Sequence, residues 1–240
     1  MNGLLALTRK ELRIQFSSPP MYIATAFLLS AAAMWFFLVH GFLARDTATL
    51  RGYFAAMPLL LVLVIPALTM KGWAEEYRLG TSELLLTLPL RSVELVVGKY
   101  LGTMLIVLCM LLLTLPVAFL LMPLGEFDLG QIVTEYIGTI LISGTAVALG
   151  LFISVLCTNQ STAFTGAAGL LLVLTLIGRL EVLISLPGPL AGVLRYVSLD
   201  THFDGFVRGV LDFRALWYYL WLTSLCLYLT AVVLEARRRA

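Results

Sequence analysis

The sequence predicts an all-α integral membrane protein with six transmembrane helices, and three features carry that expectation. Hydrophobic residues fill 60% of the 240 positions and charged residues only 12%, with a mean hydropathy of +0.98. Soluble domains carry roughly 25% charged residues, and a soluble fold of this size has too little interior to hide so much apolar surface. Apolar runs of about 20 residues, the length that crosses a hydrocarbon core, recur along the chain. The connections between them are too short for a separate globular domain.

Each element follows in order. Asn2 to Ser18 reads as an amphipathic helix whose Arg9, Lys10 and Arg13 share one arc, with Leu4, Leu5, Leu7, Leu12, Ile14 and Phe16 covering most of the rest. Glu11 and Gln15 interrupt the apolar side. Such a helix lies along a membrane interface, and Pro19 and Pro20 end it. The first span runs from Met21 to Leu43, too long and too late for a secretory signal, so it reads as a retained anchor. The second runs from Tyr53 to Met70 and holds Pro58 and Pro66, which predict kinks. The third runs from Tyr100 to Met122, the fourth from Tyr136 to Cys157, the fifth from Thr162 to Gly178 and the sixth from Ala215 to Leu234. Glycines and alanines crowd the fourth and fifth, which suits close helix packing or a subunit interface. Trp217, Tyr218, Tyr219 and Trp221 stand at the start of the sixth, as an interfacial aromatic belt does. Cys109, Cys157 and Cys226 have no metal-ligand spacing and read as small buried hydrophobes.

Two segments between spans are unusual. Lys71 to Lys99 holds eight of the 30 Lys, Arg, Asp and Glu residues around the apolar run Leu84, Leu85, Leu86 and Leu88. Thr81 and Ser92 are placed to cap two short helices there. Residues 179–212 carry two short apolar pieces broken at Pro187, Gly188 and Pro189, a length that suits re-entrant or interfacial helices. The expected organisation is an interfacial helix over 1–20 and a transmembrane domain over 21–240, with a cytoplasmic loop at 71–99 and an extracytoplasmic segment at 179–212. Six spans put both termini on one side; that side holds ten basic residues and the other six, so the positive-inside rule places the termini and 71–99 in the cytoplasm.

These boundaries leave no Asp, Glu, Lys or Arg in the middle of a span, which argues against an ion-coupled carrier or proton pump. There is no H-E-x-x-H motif and no phosphate-binding loop, since Gly98-Lys99 is followed by Tyr100 and no glycine stands five residues before Gly98. The charges form no basic patch for nucleic acid. Energy for any transport must come from another polypeptide, and leucines between charged residues at 71–99 have the composition of a docking surface.

That stretch, Glu75-Glu76-Tyr77-Arg78-Leu79-Gly80-Thr81-Ser82-Glu83-Leu84-Leu85-Leu86-Thr87-Leu88-Pro89 followed by Glu94, Gly98 and Lys99, resembles the first cytoplasmic loop of ABC-2-type transporter permeases, most closely the gliding-motility and nitrous-oxide-reductase-maturation branch. The resemblance implies a half-transporter of the bacterial inner membrane, an exporter by expectation, that pairs with a second permease subunit. A separate ABC ATPase would carry ATP and Mg²⁺, and an extracytoplasmic accessory protein is a further possible partner. This chain would bind no cofactor and catalyse nothing. Glu75, Glu76, Arg78, Gly80, Thr81, Glu83, Leu84, Leu85 and Leu86 would form the ATPase-coupling region, with the N-terminal helix beside it. Pro187, Gly188 and Pro189 would mark an outer gate. Two other classes stay open: a membrane scaffold or assembly factor, and a lipid-modifying enzyme built on Asp200, His202, Asp204 and Asp212.

Overall fold

The computed structural model describes residues 2–42, 49–80, 91–125, 127–183 and 188–239, and these are helical with no strand among them. Helix α1 spans Asn2–Phe16 and α2 spans Pro19–Met34. The two prolines occupy the first turn of α2, where a missing N–H costs nothing, so they start one helix as well as separating it from the last. A π-helical turn, Trp35–Val39, extends α2.

The second span differs from its prediction. It is two pieces, α3 over Arg51–Phe54 and α4 over Met57–Thr69. Pro58 stands in the first turn of α4 and opens that helix; only Pro66 lies inside it. A five-residue helix, α5, follows at Ala74–Arg78. The third span starts well before Tyr100. Helix α6 covers Ser92–Leu112, because the Glu94 carboxylate accepts the Arg91 N–H at 3.0 Å and fixes Arg91, not Ser92, as the cap. Helix α7 is Leu115–Leu121. Helix α8 is Leu129–Leu156, capped by Asp128, whose carboxylate accepts the Gly130 and Gln131 N–H groups. Then come α9 at Gln160–Leu183, α10 at Gly188–Val197, α11 at Leu199–Val207 and α12 at Phe213–Arg239. Among the described residues, six helical stretches have the length and hydropathy to cross a membrane: Pro19–Val39, Met57–Arg78, Ser92–Leu121, Leu129–Leu156, Gln160–Arg179 and Phe213–Arg238.

Helix α8 is the axis of the bundle and touches α4, α6, α9, α11 and α12. Its glycines show how. A Cβ on Gly138 would strike Phe206, one on Gly144 the Tyr100 hydroxyl, and one on Gly150 the Thr69 side chain. In lipid there is no water to drive helices together, so close van der Waals approach through small residues does the work. The small residues of the fourth span therefore serve contacts within this chain, whereas Gly169 in α9 faces open space.

Helices α10 and α11 fold back over one end of the bundle, α10 against α9 and α11 against α8. The aromatic cluster at the head of α12 splits. Trp217 and Trp221 are exposed, as a belt requires, but Tyr218 and Tyr219 turn inward. Their hydroxyls donate to the carbonyls of Val197 and Leu199 at 2.6 and 2.7 Å, pinning the joint between α10 and α11. Tyr219→Phe removes a buried hydrogen bond that joins α12 to α11 and is expected to cost about 0.5–1.5 kcal/mol, read as a lower thermal unfolding midpoint in detergent. All three cysteines are free. Cys226 is buried as expected, but Cys109 is exposed on the side of α6, where an apolar environment outside the protein rather than a core accommodates it.

Candidate functional site

The richest polar site lies at the end of the bundle that carries α1, α5 and the start of α6. Helix α1 crosses α6 closely because α6 presents glycine twice: a Cβ on Gly98 would overlap Leu7, and one on Gly102 would overlap Glu11. The face of α1 turned inward is Leu7, Thr8 and Glu11, while Arg9, Lys10 and Arg13 are exposed together with Leu5, Ile14 and Phe16. Glu11 and Gln15, which look like defects in an amphipathic helix, are its polar anchors. Gln15 Nε2 donates to Thr103 Oγ1 at 2.8 Å, and Glu11 Oε1 accepts from Lys99 Nζ at 2.7 Å.

Lys99 is the centre of this site. It is only 2% exposed, about two turns inside α6, and donates to both Glu11 and Glu76 Oε1, the latter at 2.9 Å. Its ammonium also stands 4.8 Å from the centroid of the buried Trp73 ring, a further stabilising contact in a desolvated place. One cation thus joins three segments far apart in sequence: α1, α5 and α6. A buried ammonium requires such partners, because an unpaired charge there would cost several kcal/mol.

Helix α5 is held from its other side by α8. The Trp73 and Ala74 N–H groups, which a helix start leaves without internal acceptors, donate to Ser154 Oγ at 3.0 and 3.2 Å. Gly80 (φ +70°) then ends the helix in the left-handed region that glycine tolerates best. The Arg237 guanidinium from α12 covers the Tyr77 ring at 4.3 Å, and Ser92 Oγ donates to Glu235 at 2.6 Å. Of the loop residues expected to couple to a partner, Glu75 pairs loosely with Arg78 at 3.8 Å, Glu76 joins the triad, and Arg78 is largely exposed. Thr81, Glu83, Leu84, Leu85 and Leu86 lie outside the described residues. Sequence reasoning placed Lys99 in the loop motif and noted Glu11 as a break in the apolar face, without pairing them, and it did not single out Trp73, Ser154 or Arg237 as site residues. The signal available for Glu11 was its place on an otherwise apolar face.

The opposite end of the bundle corrects a second expectation. Among the described residues a carboxylate, Glu135, is also buried inside a span, two turns into α8 and 0% exposed. Gln131 Nε2 donates to its Oε1 at 2.8 Å and to the Val207 carbonyl at 3.2 Å. The predicted boundary at Tyr136 missed it because Asp128 caps the helix seven residues earlier. The acid and histidine cluster at α11 is spent on structure. Asp200 accepts from Arg179 Nε at 2.7 Å, His202 stacks on Tyr218 at 4.0 Å, and Asp212 accepts the Arg214 N–H. Partial burial, and then Asp200 nearby, push the Asp204 carboxyl up, with Arg208 and Arg179 opposing. Among the described residues no three His, Cys, Asp or Glu side chains gather as a metal ion would need. Pro187 lies outside the described residues, Gly188 opens α10 and Pro189 is its second residue.

A six-span helical bundle with a small polar foot at one end defines a multi-pass membrane protein. The model of the family described as "ABC-2 family transporter protein" matches residues 43–234, and the chain belongs to that family. It is accordingly a permease subunit of an ABC transporter, a transport membrane component of a kind generally not catalytic itself, and the family implies an ABC ATPase partner in a membrane setting. None of the curated proteins matches the sequence.

Proposed function

We propose that this chain is the inner-membrane half of an ABC exporter and that its partner ATPase grips α5 and the residues following it. The observation that carries this reading is the Glu11–Lys99–Glu76 triad, which ties α5 to α1 and α6. A segment pushed from the cytosol needs such a rigid connection to move spans. The excess of basic residues at the end carrying α1 and α5 favours a cytoplasmic location for it.

Nucleotide binding would close two ATPase subunits and carry α5 with them. The push passes through Lys99 to α1 and α6 and through Ser154 to α8, shifting an inward-facing bundle toward an outward-facing one. Helices α10 and α11 then act as the outer gate beginning at Pro187, Gly188 and Pro189. Two permease subunits pair, an accessory protein can meet the outer end, and ATP and Mg²⁺ stay on the partner. The loop residues favour the gliding-motility-type branch.

The test is purification of the native complex from membranes in mild detergent, with nucleotide hydrolysis assayed in the eluate. Hydrolysis is expected to accompany the wild-type chain and to fall at least tenfold with Arg78→Glu combined with Leu85→Asp, while membrane insertion is unchanged. An eluate with undiminished hydrolysis in the double variant rejects α5 and its following residues as the grip.

A further inference from the structure

Beside the triad, whose three members all border it, lies a cavity of about 550 Å³ to which the coupling reading assigns no occupant. Its volume is in the range that holds small molecules. It opens between α1, the first turn of α2, and the corner where α4 gives way to α5. Its floor is apolar: Met21, Ala67 and Leu68 from the two spans. Its rim is charged and mixed in sign. Lys10 and Lys71 supply ammonium groups, and Glu75 a carboxylate whose contact with the exposed Arg78 is loose, at 3.8 Å. Lys71 Nζ donates to Ser18 Oγ at 3.0 Å, and no carboxylate lies within ion-pair distance of Lys10 or Lys71 among the described residues. Lys99 also borders the cavity, but both Glu11 and Glu76 already engage it.

The position fixes the kind of neighbour. The cavity sits where span residues meet an amphipathic helix, at the edge of the bilayer. Ile14, which lines it, is 47% exposed, and Phe16, Tyr22 and Ile23 close by in the chain also expose their side chains. An occupant therefore needs a polar head that satisfies two cations and one anion, joined to an apolar body that can lie along those exposed side chains.

We propose that the cavity binds the headgroup of a zwitterionic phospholipid bearing a phosphate and a primary ammonium. The phosphate takes Lys71 and Lys10, with the Ser18 hydroxyl as a further donor. The ammonium takes Glu75. The acyl chains leave past Ile14 into the bilayer. A purely anionic lipid uses the lysines but meets Glu75 with repulsion, so the site prefers the zwitterion. A lipid held there would brace α1 against the α4–α5 corner from the side opposite Lys99.

The experiment is native mass spectrometry of the purified chain, stripped of lipid and titrated with phosphatidylethanolamine or phosphatidylglycerol in detergent. The wild type is expected to hold one phosphatidylethanolamine per chain in preference to phosphatidylglycerol. Lys10→Met and Lys71→Met should each weaken it about fivefold, and Glu75→Gln should erase the preference between the two lipids. Ala67→Trp fills the floor without touching a charge and should abolish the bound lipid while α-helical circular dichroism stays as in the wild type. Equal lipid retention by the wild type and the double lysine variant overturns the site. So does a wild-type chain that holds no lipid and whose Lys71 becomes shielded from amine labelling only when an ATPase subunit is bound, because the cavity then belongs to that protein.

Discussion

Lys99→Met is expected to have the largest effect of any single substitution at the foot. It removes the ammonium from which both Glu11 and Glu76 accept and puts a methionine in its buried place. Breaking a buried ion pair on one side costs about 3–5 kcal/mol, and the cation–π contact with Trp73 is lost as well. The chain should unfold at a markedly lower temperature in detergent, and α1 should become the first segment to exchange its amide hydrogens. Replacing the carboxylates too, as Glu11→Gln and Glu76→Gln on the Lys99→Met background, removes the uncompensated charges and should restore most of the stability, since buried ion pairs often give way to neutral groups at little cost. Under the proposed coupling the triple variant still fails to transmit ATPase turnover to transport, because the joint between α5 and α6 is gone. A triple variant that regains both stability and transport separates the triad from coupling; one that regains neither shows that neutral groups cannot fill the site.

How much of this was legible in the chain depends on the scale of the signal. The six spans were plain, because a bilayer demands long apolar runs whatever the packing. Their ends were not, because ends are set by single caps. Asp128 starts α8 and Glu94 starts α6 from positions that hydropathy alone assigns to loops. The first displaced end hid Glu135, and the second put Lys99 at the end of a loop instead of inside a helix. The foot was legible only in part. Glu75, Glu76, Arg78 and Gly80 could be read as a local motif, but the contacts that hold the foot, Glu76 to Lys99, Lys99 to Glu11, and Trp73 and Ala74 to Ser154, each span 23 residues or more. Pairing at that range depends on which glycines let α1 settle on α6, and a single chain read in one dimension does not display it. Tyr218 and Tyr219 were misread for a related reason: the belt pattern looks the same whether a ring faces lipid or turns inward to meet a carbonyl.

Helix α8 offers a matched pair of substitutions that divides stability from transmission. Ser154 and Ser143 are both fully buried serines of one helix, three turns apart. Ser154 Oγ accepts the Trp73 and Ala74 N–H groups, whereas Ser143 Oγ has no hydrogen-bond partner among the described residues. Ser154→Ala therefore leaves two buried donors without an acceptor and is expected to cost about 2–4 kcal/mol. Ser143→Ala removes a hydroxyl that is buried without compensation and should be neutral or stabilising by about 1 kcal/mol. Thermal unfolding of both variants in the same detergent reads the difference directly. The functional consequence follows from geometry. Helix α5 has only five residues, too few to hold a helix by its own hydrogen bonds, so its orientation depends on Ser154 at one end, Lys99 on its side and Arg237 over the Tyr77 ring. With Ser154→Ala the helix loses its N-terminal anchor and gains freedom to swing about the contacts of Glu76 and Tyr77. ATPase activity in the complex should then persist while transport per nucleotide hydrolysed falls several-fold. Transport that declines only in proportion to the amount of folded protein would instead make Ser154 a structural cap with no part in the stroke.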